Sequence, residues 1–389
     1  MPMKILYHHR SRSKDGQYVH IMELVTALRA QGHEVIMVGP QMVDPDVDGT
    51  QQSLLGSLKK RLPGAVYELL ELGYSVPAFW RLRKAYQAHQ PDVLYERYNL
   101  YQVAGVFLKR LYRLPMLLEI NAPLVEERSQ YGGLALPWLA RWSERAAWRG
   151  ADRALPVTQV LADHVTRAGV DPARVAVVPN GIDPDHFATA PDTETAKAAL
   201  GLSGKFVLGF TGYVRDWHGL ERVVDFIAET ESDKDFHLLL VGDGPARAAI
   251  ETRAVQRGVG GAVTVTGIVG REDVAAHVAA FDIALQPAVT AYASPLKMFE
   301  YMVLEKPIIA PSSPNIREIL VDMEDAVLFD PSRPEEFREK LQFLCFHDDI
   351  RAKVARGAAQ TVQRRGFYWS ENAKRVAAMF DALRRSTTG

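Results

Sequence analysis

Short apolar runs alternate with amphipathic helical stretches along most of this chain, and the alternation is run through twice. In the first pass Lys4–Tyr7 reads as a strand, and Ile21, Leu24, Val25 and Leu28 then share one helix face at offsets 0, 3, 4 and 7. Gly32 stops that helix, and Glu34–Val38 is the next strand. Val93–Tyr95, Met116–Ile120, Ala154–Val157 and Val175–Val178 continue the series. The second pass follows Pro179–Asp185, with strands at Phe206–Phe210, His237–Val241, Val263–Gly267, Ile283–Gln286, Ile308–Ala310 and Ala326–Phe329. Apolar strands separated by helices are covered on both faces, so the pattern predicts an α/β chain with two parallel, doubly wound sheets. The expected domains are residues 1–185 and 186–369, joined by a linker near Thr189–Thr195. A final helix over 370–389, with Ser370 as its cap and Val376, Met379, Phe380 and Leu383 on one face, is expected to complete the first domain.

Sheets of this kind bind ligands beyond the carboxyl ends of their strands, so the loops there must carry the chemistry. Lys plus Arg (46) and Asp plus Glu (47) nearly cancel, which excludes nucleic-acid binding by bulk charge. The single cysteine, Cys345, excludes an internal disulfide and a thiolate metal cluster, and fits a reducing compartment. The apolar run in Met1–Arg10 is too short for a secretory signal. No segment reaches the roughly 18 apolar residues of a bilayer span, so a cytoplasmic protein is expected. Asp44, Asp46 and Asp48 read as a solvated loop, and no metal is expected.

Tyr292–Ala310 is the most informative segment. Ser294 suits an N-cap and Pro295 a first helical position, with Leu296 and Lys297 following in the first turn. A cation there opposes the helix dipole. A bound phosphate would reverse that penalty by taking the free N–H groups, the dipole and the lysine together. Glu300, about 4.5 Å further along the axis, would then meet a ribose hydroxyl pair. The competing reading is an exposed Lys297–Glu300 pair worth about 0.2–0.5 kcal/mol. Directly after a strand, Gly212 allows close backbone approach, and Arg215 and His218 stand in the loop before the next helix. Either residue suits a diphosphate, and a structural His218 is the alternative. Val241–Pro245 and Gly267–Gly270 are further glycine turns at strand ends, the second placed to reach a nucleobase through its backbone. The first is not a dinucleotide fingerprint, since Arg247 stands where its last glycine is required.

Gly32–Val35, Val178–Asp183, Gly212–Gly219, Val241–Pro245 and Ser294–Ala310 are weak signals singly and strong in this order and spacing. With them the chain resembles the retaining glycosyltransferases of the GT-B fold, specifically family 4, over nearly its whole length. The resemblance implies two Rossmann-like domains facing each other across a crevice, a nucleotide-sugar donor (a UDP-sugar) in the second and a glycan or lipid-linked acceptor in the first. It implies no cofactor, since the donor is a substrate. Gly16, Gly212, Tyr213, Asp243, Gly244, Ile268, Val269, Ser294, Leu296 and Glu300 fall at donor positions, with Glu300 as the ribose ligand. Lys297, His218, Arg215, Arg97, Glu119 and Asn121 fall at catalytic ones. The chain departs from the family at Tyr292, where the first of two donor glutamates usually stands, and at Tyr213 and His218, which occupy the places of a diphosphate Arg and Lys. Lys297, His218 and Arg215 are expected to replace those cations. Glu119, charged and at a strand end, either faces the crevice or is buried and paired. His20 has helix packing as its structural role.

Two stretches suit a membrane surface. Ser53–Pro63 is basic and apolar, and Trp138–Arg149 places Arg141, Arg145 and Arg149 along one stripe beside Trp138 and Trp142. For the second, tryptophans packed inward beneath solvated arginines are the favoured reading. Peripheral attachment to the inner face of the cell membrane is the expectation from both. A sugar-nucleotide epimerase and a non-catalytic glycan- or nucleotide-binding module are the rival functions.

Overall fold

The computed structural model describes residues 2–12, 16–41 and 62–388. The stretches around Asp44–Asp48 and Lys59–Arg61 lie outside the described residues. The chain divides into two compact units, one of Met1–Pro179, Tyr292–Ser294 and Trp369–Gly389, the other of Asn180–Ala291 and Pro295–Tyr368.

In the first unit, β1 (Lys4–His8), β2 (Glu34–Val38), β3 (Val93–Arg97), β4 (Met116–Ile120) and β5 (Arg153–Pro156) form one parallel sheet in the order β2-β1-β3-β4-β5. Every residue of β3 and β4 is buried, as covering both faces requires. The helix Gly16–Ala30 packs against Trp369–Thr388, whose Ala373, Val376 and Phe380 are fully enclosed. His20 lies within the Gly16 helix, and the terminal helix begins at Trp369, one residue before Ser370.

The expected strand Val175–Val178 does not form. Val175 makes a single parallel bridge to Ala154, and the N–H groups of Ala176 and Val178 reach the carbonyls of Ala154 and Pro156. The intervening rung would need an N–H from Pro156, which proline lacks, so the ladder stops.

The second unit carries β6 (Phe206–Thr211), β7 (Phe236–Val241), β8 (Val263–Val265), β9 (Ile283–Leu285), β10 (Ile308–Pro311) and β11 (Val327–Phe329) in the order β11-β10-β9-β6-β7-β8, all parallel. Strand order reverses between β6 and β9, so the loops that follow those two strands flank the switch point. The polar segment expected as a linker belongs to this unit. Asp192 caps the helix Thr193–Ala199, Ala196 joins the core, and the Lys197 ammonium sits 2.9 Å from Asp282.

Candidate active site

Within the second unit the switch point is braced by glycines. Gly212 has φ +120°, and a side chain there would press on the Lys297 ammonium at 3.3 Å. Gly242 has φ +136°, and a Cβ on it would be driven into the Gly212 carbonyl oxygen; one on Gly244 would meet the Val214 backbone. The Val214 N–H donates to the Asp243 carbonyl at 2.9 Å, and Asp243 Oδ1 accepts from the Gly244 N–H at 2.7 Å. The Asp243 turn therefore lies backbone to backbone against the Gly212 loop, which only residues without Cβ permit.

Side chains brace the same loops. The Tyr301 hydroxyl accepts from the Thr211 N–H at 2.9 Å. Arg222 donates to the Pro287 carbonyl at 2.8 Å, and Asn315 to the Thr290 carbonyl at 3.0 Å. Sequence reasoning missed all three. Arg222, in the first turn of the Glu221–Glu229 helix, reads like any solvated helix charge, and Tyr301 like a core aromatic.

The helix Leu296–Val303 begins after Pro295, which takes the cap position in an extended conformation (φ −70°, ψ 124°) with no side-chain cap. The expected Ser294 cap is thus displaced by one residue. Ser294 is buried in the Tyr292–Ser294 segment, which groups with the first unit, where the Thr158 hydroxyl donates to the Tyr292 carbonyl at 2.9 Å. An uncapped start leaves the first N–H groups of the helix to a ligand or water. Lys297, second in the helix, stands with Nζ 3.5 Å from the centroid of the Phe210 ring. Loss of hydration pulls its proton affinity down to about 7, only partly offset by the charge of Glu300.

The surroundings of His218 favour its neutral imidazole, where a cation was expected. Burial first, and the Lys297 charge second, push it down to about 3. Its Nδ1 accepts from the Arg215 N–H at 3.0 Å, so the proton is on Nε2. The ring sits between Phe210 and Trp217, at 4.8 and 3.9 Å between centroids. Arg215 is exposed, with its guanidinium 5.0 Å from the Tyr213 ring. Ile268 is exposed, and Val269 packs on the core.

In the first unit Arg97, Glu119 and Asn121 come together, and of the two readings for Glu119 the buried, paired one holds, not the one that faces a ligand. Its carboxylate is 2% exposed and receives the Tyr95 hydroxyl at 2.8 Å, the Asn121 amide at 2.5 Å and the Arg97 guanidinium, with His20 Nε2 at 3.0 Å. Burial alone would raise its pKa; the His20 and Arg97 charges and these hydrogen bonds outweigh it and hold the carboxyl well below the usual range. A carboxylate so surrounded positions Arg97 and His20 rather than offering itself to a ligand. Gly16 opens the first helix and is exposed.

Comparison with known proteins bears on both units. Residues 15–181 match the glycosyl transferase 4-like domain and residues 205–346 the glycosyl transferases group 1. The alpha-D-kanosaminyltransferase of Streptomyces kanamyceticus is 26% identical over 65% of this chain and 67% of its own length. The D-inositol 3-phosphate glycosyltransferase of Arthrobacter sp. (strain FB24) is 24% identical over 92% of this chain and 88% of its own. Among solved structures, Anabaena HepE in complex with UDP-glucose superposes with a TM-score of 0.75 at 18% identity, covering 98% of this chain and 100% of that one. Sucrose-phosphate synthase from Thermosynechococcus elongatus gives 0.75 at 18% identity, over 99% and 100%.

Proposed function

From a chain that belongs to the GT-B glycosyltransferases of the family 4 type, we propose a reaction that moves a sugar from a UDP-linked donor to a hydroxyl of a glycan or lipid-linked acceptor. The anomeric configuration is retained, and the product enters cell-surface or extracellular polysaccharide. The UDP-glucose held by HepE supports the choice of donor.

Lys297 carries the reading. An ammonium desolvated over Phe210, at an uncapped helix start and beside a switch point, is unfavourable until an anion arrives. A diphosphate supplies that anion. As the bond from the sugar to the diphosphate breaks, negative charge grows on the departing phosphate, where Lys297, the helix N–H groups, the Nε2–H of His218 and Arg215 stabilise it. The acceptor oxygen bonds to the same face of the sugar and gives its proton to a donor phosphate oxygen. Glu300 accepts from the ribose hydroxyls. In the first unit, Arg97, held by Glu119, meets the acceptor.

Incubation with several UDP-sugars, with and without a lipid-linked acceptor, tests this. UDP release that depends on acceptor and is lost in Lys297→Met is the expected result. Epimerised sugar without transfer, or binding without turnover, overturns it.

A further inference from the structure

The helix Pro137–Gly150 contradicts the favoured sequence reading of its tryptophans. Trp148 faces inward, 2% exposed, whereas Trp138 and Trp142 are 63% and 49% exposed. One turn apart, they share a face. The adjacent helix Ala104–Tyr112 adds Phe107 and Leu111, also one turn apart, at 50% and 56%. Four large apolar side chains are thus exposed on neighbouring helices of one unit, and the two tryptophans line an open cleft of about 580 Å³.

Their neighbours are cations. Arg110, Arg141 and Arg145 border the same cleft, and Arg141 and Arg145 run one turn apart beside the tryptophan stripe. Among the described residues no ion pair or side-chain hydrogen bond engages the guanidinium groups of these three, and Arg145 acts on Glu144 through its charge alone. Glu144 and Asp152, the nearby acids, are engaged elsewhere: Glu144 is buried against Tyr98 and the Val125 N–H, and Asp152 holds Lys109. A face with exposed indoles and net positive charge matches a partner that offers both an apolar interior and surface anions.

We propose that this face of the first unit docks on an anionic lipid surface, with Trp138, Trp142, Phe107 and Leu111 entering the headgroup boundary and the three arginines meeting lipid phosphates. Indole rings settle at that boundary, and each arginine near an anionic leaflet adds attraction of the order of a fivefold gain in partitioning. Among the described residues no helix is long and apolar enough to cross a membrane, so the contact is peripheral. It would bring a lipid-linked acceptor to the enzyme, but does not depend on the donor chemistry.

Flotation of the full chain with vesicles of phosphatidylcholine and phosphatidylglycerol, against phosphatidylcholine alone, tests it. The expected results are binding only to the anionic vesicles, a loss of about thirtyfold in Arg141→Gln/Arg145→Gln, and a blue shift of tryptophan emission that Trp138→Ser/Trp142→Ser removes. UDP release with a soluble acceptor should be unchanged in both variants, which shows them folded. The proposal fails if wild type and variants float alike or not at all. It fails equally if, without vesicles, the tryptophan face mediates self-association in sedimentation, or if soluble polyanionic glycan binds there while vesicles do not.

Discussion

Desolvation brings the Lys297 ammonium from 10.5 to about 7, so between those values folding releases its proton. A base with a depressed folded pKa costs stability below the folded value, and that cost is relieved as pH rises toward the unfolded one. Lys297→Met should therefore raise the melting temperature at pH 6, with the gain shrinking toward pH 10, while lowering kcat/KM for the donor by about a hundredfold or more. A gain that does not vary with pH, read by thermal scans in a buffer series, would sink the desolvated-charge account. The same value sets a pH profile. In the wild type kcat/KM for the donor should fall as pH climbs past about 7, and Lys297→Arg, which keeps its charge, should flatten that limb. Glu119 acts the other way, by holding partners. Glu119→Gln leaves Arg97 buried without a counter-charge and should cost about 3–5 kcal/mol in urea unfolding.

At the scale of elements, the loop after β6 owes its shape to a neighbouring turn rather than to its own sequence. Gly242→Ala forces a Cβ toward the Gly212 carbonyl and an unfavourable φ of +136°. It should cost about 1–3 kcal/mol and weaken donor binding together with stability, as calorimetry would show; a variant of wild-type stability would mean that the two loops are not packed as described. Most strands, the loop after β6 that carries Arg215 and His218, and the helix that carries Lys297 were legible because periodicity and strand-end loops are local properties. The Val175–Val178 strand was misread because its failure lies in Pro156, on the neighbouring segment. His20, Tyr95 and Tyr301 escaped notice as site residues because their partners are distant in sequence: Tyr301 meets Thr211 across 90 positions. The outward indoles of Trp138 and Trp142 share the stripe that a buried face would use, and only packing tells the two apart.

For the molecule as a whole, the first unit is assembled from three separate stretches of chain, and the second interrupts it. Truncation after Tyr368 removes the enclosed Ala373, Val376 and Phe380 from the first unit and exposes the facing side of the Gly16–Ala30 helix. Two transitions in thermal scans, with the first unit's lowered or absent and the second's kept, are expected; an unchanged scan would deny the helix its structural role. This interleaving also orders events on the ribosome. Synthesis proceeds from the amino end, so the interrupting unit is fully translated while its predecessor still lacks the helix that closes its core. Until the last helix, Trp369–Thr388, emerges, the first unit keeps an open apolar seam, a substrate for chaperones.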